Sequence, residues 1–255
     1  MAYALREFEH RWRHYRKLWR GSIVISVANP LLFLIAIGAG LGALIAPDPY
    51  RLGGVEYLAF FAPGMLAAAS MQNGIVESAF PVSRSTMADG SYRVAVSTPL
   101  EPTDVLYGHT IFMALRIAMS AAAFIVVMVA MGAAQSPLVV LTLPAALLTG
   151  LAFATPVSAW AVTLDSPQKV MGLFKWVVMP LYLFSGTFFP VEQMGDVLKW
   201  VAYATPLWHG VDLCRSLSLG TATWPLTAVH LTYLVALTAL GLVLARRTYP
   251  RSLHS

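Results

Sequence analysis

From Ile117 to Leu164 the chain carries no charged side chain. A spanning helix needs about 20 mostly apolar residues, because each rises about 1.5 Å and the hydrocarbon is about 30 Å thick. The stretch therefore holds two spans. They divide at Gly132–Pro137, where Gln135, Ser136 and Pro137 form a turn signal. Gly21–Pro47, Tyr57–Val76 and Ser216–Ala245 also carry no Asp, Glu, Lys or Arg, and Trp176–Val191 is extended backwards by Val170–Phe174. The pattern predicts six spans, near residues 22–46, 57–80, 108–131, 139–164, 170–187 and 225–245. Only 11% of the 255 residues are charged and 58% are hydrophobic. A soluble domain carries about 25% charge, so this chain cannot cover a soluble surface. Alternating strands of about 10 residues are absent, which excludes a membrane barrel. The single cysteine, Cys214, leaves no disulfide framework and no cysteine cluster for a metal.

Lysine and arginine set orientation, because they stay on the cytoplasmic side. Arg6, Arg11, Arg13, Arg16, Lys17 and Arg20 precede the first span. Arg84 and Arg93 follow the second, Lys169 and Lys175 mark the fourth-to-fifth turn, and Arg246, Arg247 and Arg251 close the chain. The other side has Arg51, Lys199 and Arg215. Both termini are therefore expected in the cytoplasm. Arg116 lies two turns into the third span and is expected to snorkel to the cytoplasmic interface. The net charge of +5 belongs to this topology and calls for membrane lipid, not nucleic acid. Gly21–Pro47 exceeds the roughly 7–15 residues of a signal-peptide core and is read as a retained span. Asn29-Pro30 should kink it, and Gly38, Gly40 and Gly42 offer a close-packing face.

Residues 1–20 form a separate arm. Leu5, Phe8, Trp12, Tyr15 and Trp19 make one helical stripe, with arginines over much of the remainder. That pattern predicts an amphipathic helix in the inner membrane interface. After the fifth span, Val191, Met194, Leu198, Val201 and Ala202 have helical spacing. Thr205-Pro206 interrupts, and Leu207, Val211, Cys214 and Leu217 form a second helical piece. Each piece is too short to cross. Residues 188–220 are therefore expected to form an extracellular re-entrant helical hairpin, its backbone covered by the other helices; the alternative is two amphipathic helices resting on the surface. The fold class is thus an all-α membrane protein: residues 1–20 as arm and 21–255 as a six-helix domain.

Several strings carry a family resemblance. They are Ala62-Pro63-Gly64-Met65 in the second span and Ser97-Thr98-Pro99-Leu100 with Tyr107-Gly108 before the third. Phe184-Ser185-Gly186-Thr187-Phe188-Phe189-Pro190 and Ala204-Thr205-Pro206-Leu207-Trp208-His209-Gly210-Val211 with Arg215 complete the set. Together and in this order the chain resembles the type-2 permeases of ABC exporters. It is most similar to the subgroup that exports nodulation lipo-oligosaccharides and some antibiotics.

The resemblance implies a permease that does not hydrolyse ATP. No phosphate-binding G-x-x-x-x-G-K-[ST] run is present. The chain is expected to bind no cofactor of its own, with ATP and Mg on two copies of a separate ABC ATPase. A second permease half, identical or a sister chain, would complete the pathway in a prokaryotic inner membrane. The resemblance places the ATPase contact in the loop 81–103, with Arg84, Asp89, Arg93 and Glu101. Asp165–Lys169 is a second cytoplasmic turn. Gln72 and Asn73 at mid-span, and Glu77 one turn on, are candidates to line the substrate path. Glu77 is alternatively paired with Arg84. Phe184, Phe188, Phe189 and Trp208 would form an outer gate suited to a lipid-like cargo. His209 would bond a carbonyl freed by Pro206, or read a sugar hydroxyl. The rival reading is an ion-coupled secondary transporter using Glu77, Asp165 or Lys175. It would require repeated halves, and only one broken region is seen. A membrane-embedded enzyme is a second rival, but HExxH and G-x-S-x-G are absent and no pair of acidic residues stands at metal-binding spacing.

Overall fold

The computed structural model of the chain describes residues 4–13, 15–16, 28, 32, 34–36, 55–86, 90–166 and 168–253. Most of the predicted first span, with Asn29-Pro30 and the Gly38, Gly40 and Gly42 face, lies outside the described residues. Asp89 and Trp19 do as well. The described chain is all helical, with no strand among the described residues.

The arm helix, α1, covers residues 4–13 and 15–16. Then follow α2 (Tyr57–Ser85), the short α3 (Ser91–Val96), α4 (Pro102–Ala130) and α5 (Thr142–Ala161). α6 (Lys169–Leu173) and α7 (Met179–Phe184) come next, then α8 (Asp196–Tyr203), α9 (Pro206–Leu219) and α10 (Trp224–Leu253). Among the described residues, three helical segments are long and apolar enough to cross a membrane: Pro102–Ala130, Pro137–Ala161 and Trp224–Leu253. The Gln135–Pro137 turn signal falls where α4 ends, and Ser136 caps the next turn by accepting from the Leu138 N–H.

α2 has the length of a span but a more polar sequence, with Gln72, Asn73, Glu77 and Arg84 among its residues. It can carry them because it is central. It packs against α5, α9 and α4, and most of its residues from Tyr57 to Ser83 are buried. A helix buried nearly all round is a core element. Around it, α10 closes the bundle against α5, α9 and α4.

Small residues set the closest approach. A Cβ on Gly74 of α2 would collide with the Gly150 backbone of α5. One on Gly150 would fall 2.8 Å from the Ser70 carbonyl and from Ile117. Helices in lipid gain little from apolar burial against one another, so backbone approach through such residues supplies the attraction.

The predicted fifth span is helical over 169–184 and changes pitch midway. Phe174–Val178 is π-helical, and the Met179 N–H bonds to the Phe174 carbonyl five residues back. Pro180 follows, without an N–H to continue the ordinary ladder. The helical part rises about 24 Å, short of the hydrocarbon thickness. At its end Gly186 turns at φ +80, and the chain passes to α8 and α9.

The two apolar pieces after Pro190 appear with a later start than their spacing predicts. Val191–Gln193 is a single 3-10 turn, and α8 begins at Asp196 after Gly195. Thr205 caps α9 by accepting from the Trp208 N–H, and Pro206 occupies its first turn.

The Gly74–Gly150 seam predicts that Gly74→Val costs about 1–3 kcal/mol by overpacking. Gly172 has no atom within 4 Å of a built Cβ, so Gly172→Ala should stabilise its helix by about 0.5–1 kcal/mol. Thermal unfolding of the full chain in detergent reads both. An unchanged Tm for Gly74→Val would contradict the seam.

Candidate functional site

A cavity of about 880 Å³ lies between α2, the α6–α7 segment and residues 32 and 36. Met65, Phe174, Val178, Tyr182 and Phe188 give it apolar walls, and Gln72 and Lys175 bring polar groups to them. Its size falls within the range of about 300–1,000 Å³ for small-molecule sites. The Tyr182 hydroxyl donates to the Met65 sulfur at 3.0 Å, and its ring meets Phe188 edge-on at 5.5 Å. Phe188 in turn packs on Phe61 at 5.5 Å.

Of the residues proposed from the sequence for the substrate path, Gln72 and Phe188 line this cavity. Asn73 points elsewhere and donates to Ser120 of α4 at 2.9 Å. Glu77 pairs with Arg116, Oε1 to Nη2 at 2.7 Å and to Nε at 3.1 Å. It does not pair with Arg84, which is exposed on the last turn of α2. Arg116 does not snorkel either. It is buried, and its guanidinium lies 4.4 Å from the centre of the Tyr15 ring. The pair bolts α2 to α4 away from solvent, where an unpaired charge would be costly. Phe184 and Phe189 are exposed. Trp208 does not line the cavity; it packs against Tyr203, His209 and His230 at 4.5, 4.9 and 5.2 Å, beside Gly186.

Three of the four groups of residues that carry the resemblance meet in space. Arg215 of α9 donates from Nε to the Phe60 carbonyl at 3.0 Å and from Nη2 to the Gly186 carbonyl at 2.8 Å. Its guanidinium stacks over the Phe60 ring at 3.7 Å. A Cβ on Gly64 would lie 3.0 Å from Arg215 Nη2 and 3.1 Å from the Thr187 carbonyl, so glycine is needed for the approach. The start of α2, the turn after α7 and the body of α9 are thus pinned by one cation.

At the other end of the bundle, α3 inserts Tyr92 completely into a cluster with Val82, Val105, Leu106, Ala159, Tyr249 and Leu253. Burial pushes its phenol up to about 12, so Tyr92 keeps its proton and donates to His109 Nδ1 at 2.5 Å. Arg11 of the arm covers the same ring at 5.0 Å and bonds to Glu7 at 2.8 Å. The opposite side of α3 is open, with Val94 62% exposed. Glu101 is exposed at the start of α4. Arg93 belongs to α3, but its side chain, like Asp89, lies outside the described residues. Asp165 is exposed and paired with Lys169 at 2.9 Å, which lowers its carboxyl from the ordinary range.

The arm differs from a simple lipid-facing stripe. Ala4, Glu7 and Tyr15 are buried, and Tyr15 packs on Phe112 of α4 at 6.0 Å. Phe8 and Trp12 are half-buried, and Leu5 is exposed. The protein-facing edge therefore runs beside the apolar stripe. Tyr182, Met65, Arg116 and Tyr92 were not singled out as site residues from the sequence. Met65 and Tyr92 lay within quoted strings, whereas nothing in the spacing marks Tyr182.

This arrangement, a buried polar-bearing helix beside an apolar cavity within an all-helical bundle with long apolar helices, is that of a multi-span membrane protein. The chain belongs to the ABC-2 type transporter family, whose model matches residues 8–219. It is similar to Nodulation protein J of Rhizobium leguminosarum bv. trifolii, 32% identical over 215 residues, covering 82% of this chain and 80% of the relative. Nodulation protein J of Rhizobium meliloti (strain 1021) is 29% identical over 216 residues, with 82% and 80% covered. That of Sinorhizobium fredii is 30% identical over 210 residues, with 80% and 78% covered. Such a chain is a membrane transport subunit, not itself a catalyst.

Removing one member of the Glu77–Arg116 pair should be costly. Glu77→Leu alone is expected to lose about 3–5 kcal/mol, and Glu77→Leu with Arg116→Met much less. Thermal unfolding of the two variants decides this; a double variant no more stable than Glu77→Leu would mean that the stranded Arg116 charge is not what costs stability.

Proposed function

We propose that the chain is the membrane-spanning half of an ATP-driven exporter that moves an amphiphile with an apolar tail from the cytoplasm or inner leaflet. The observation that carries this is the cavity of about 880 Å³, apolar except for Gln72 and Lys175, on the flank of the central helix. An acyl chain gains about 0.8 kcal/mol for each methylene it buries, so such walls bind a tail without needing many hydrogen bonds. The likeness to nodulation proteins favours a lipo-oligosaccharide or glycolipid over a drug as the cargo. Gln72 and Phe188 contact the tail in this reading. Asn73 and Glu77 act indirectly, by fixing α2 against α4.

The topology we propose has six crossings, with both termini and α3 in the cytoplasm and α8–α9 as a re-entrant extracellular hairpin. The basic residues support it, and so does the shortness of α8 and α9. α2, centrally buried, is the second crossing, and α6–α7 the fifth. A separate ATPase in two copies, holding ATP and Mg, grips the open face of α3 near Arg84, Asp89, Arg93 and Glu101. Two such permease chains in a prokaryotic inner membrane complete the pathway. The open sides of Trp176, Met179 and Leu183 are available for the second half or for lipid. An ion relay through Glu77 and Asp165 has less support, since Glu77 is locked to Arg116 and Asp165 lies at the surface beside Lys169.

Co-reconstitution with a candidate ABC ATPase subunit from the same cell tests the proposal. Gln72→Trp should fill the cavity and abolish cargo-stimulated ATP hydrolysis while basal hydrolysis persists. Val94→Asp should instead weaken copurification of the ATPase. Full stimulation in Gln72→Trp would refute the cavity as the cargo site, and transport without any ATPase would refute the exporter reading.

A further inference from the structure

The cavity on the flank of α2 changes character along its length. α2 and the α6–α7 segment run antiparallel beside it. The Tyr182 hydroxyl reaches the Met65 sulfur at 3.0 Å, and the Phe80 ring stacks on Phe174 at 5.8 Å. Met65, Tyr182 and Phe188 therefore mark one end of the cavity, Lys175 lies near the other, and Gln72 falls between. On α6–α7 the lining residues recur every three or four positions from Met171 to Leu183, one helix face about 18 Å long. Lys175 is the single charged residue on that face, and among the described residues none that lines the cavity is acidic.

The polar groups at the Lys175 end and midway are open, whereas the one at the far end is spent. Lys169, on the same segment, has Asp165 at 2.9 Å. Among the described residues no carboxylate lies within salt-bridge distance of Lys175, whose ammonium stands 5.3 Å from the centre of the Trp176 ring. A ring face holds a cation less firmly than an oxyanion does. The Lys175 side chain is exposed, so an anion can reach it without displacing a protein group. Gln72 makes no side-chain hydrogen bond among the described residues, and its amide offers both donors and an acceptor. The Tyr182 hydroxyl, by contrast, is given to the Met65 sulfur, which leaves rings and a thioether at the far end. A lysine that served only to orient the chain could stand on any face of the segment. This one stands on the face that lines the cavity.

We propose that the cavity takes an amphiphile whose headgroup carries an oxyanion (phosphate, sulfate or carboxylate), bound with that group at Lys175 and the end of its tail at Met65, Tyr182 and Phe188. Gln72 meets the linkage that joins the two and the first carbons of the tail. The proposal rests on the reading of this cavity as the cargo site and adds the charge and the direction of the cargo. In the proposed topology Lys175 lies about 9 Å along the helix from Lys169 at the cytoplasmic turn, close to the inner interface. An amphiphile of the inner leaflet, head towards the cytoplasm and tail towards the bilayer centre, thus enters without turning over. Lys175 is a specificity-determining residue in this account: it selects the anion, and the apolar end holds the tail.

Two photoaffinity probes test this on the full chain in phosphatidylcholine nanodiscs. Both carry a palmitoyl chain ending in a diazirine. One is monopalmitoylglycerol and the other its phosphate monoester. Labelling is normalised to the amount of each probe in the bilayer. The phosphate probe should label the wild type about fivefold more than the neutral one, and both should attach at Met65, Tyr182 or Phe188. Lys175→Met should bring the ratio to about one, with the neutral probe showing that the cavity is intact, and Lys175→Arg should restore the preference. Excess glycerol phosphate should displace neither probe. A wild-type ratio near one, a ratio that survives Lys175→Met, attachment at Met171 or Phe174, or displacement by glycerol phosphate would each overturn the proposal while leaving the cavity as a site for tails. Labelling of both probes that ignores Gln72→Trp would instead remove the cavity reading, and this inference with it.

Discussion

A membrane interior supplies no hydrogen bonds, and every polar group on the central helix must therefore find its partner within the protein. α2 is where this constraint bears hardest. It carries an amide pair, a carboxylate and two prolines through the middle of the bundle. Close backbone contact at Gly74 and Gly150 brings α5 near enough to cover one side. Asn73 then meets Ser120, and Glu77 meets Arg116, on the α4 side. Gln72, one position away and rotated by about 100°, is left facing the cavity. One helix thus separates its polar groups into those that hold the fold and one that is open to a ligand.

The same constraint explains the turn after α7. The stretch Ser185–Pro190 is irregular and largely buried, so its carbonyls need donors. Arg215 supplies two donor groups, one to Gly186 and one to the start of α2. Among the described residues no carboxylate lies within salt-bridge distance of it. Carbonyl dipoles and the Phe60 face take the place of a counter-ion. Two conditions follow for the sequence: glycine at 186, where φ is positive, and glycine at 64, where any Cβ would crowd the guanidinium. The two halves of the resemblance, far apart in the chain, are therefore one structural device.

Much of this was legible before any coordinates. Uncharged runs located the long helices, because length and lack of charge are properties of a segment by itself. The turn at Gln135–Pro137 and the break at Thr205-Pro206 were legible for the same reason. What was not legible depends on register between helices. Glu77 and Arg84 are seven residues apart and share a face of α2, so the sequence offered them as partners. Arg116 wins because α4 runs antiparallel to α2 and brings it to the depth of Glu77, a relation that spacing along one helix cannot express. Tyr15 was likewise assigned to the lipid stripe, since its helical position fits. Its cation and its aromatic neighbour both lie on α4. His230 stands alone in an apolar run of the sequence, and only the packing of α9 on α10 brings His209 to it.

These particulars give the bundle a mechanical order. Tyr92 ties α3 to α4 through His109 and to α10 through Tyr249, while Arg11 ties it to the arm. A displacement of α3 is therefore felt by α4 and α10, and by the end of α2 through Val82 and the Ser91–Ser85 hydrogen bond. The Glu77–Arg116 pair then carries the motion of α4 to α2 about one turn beyond Gln72, hence to the cavity wall. At the far end α2 is held by Arg215 to α9, and α9 by His230 to α10. Both ends of α10 are thus fastened to elements that touch α2. The α6–α7 segment, which forms the other wall, is built on a π-helical turn and is exposed along much of its length. A wall with few internal ties opposite a wall fixed at both ends gives the cavity one side that can yield. The yielding side is the one that lacks a full span of regular helix.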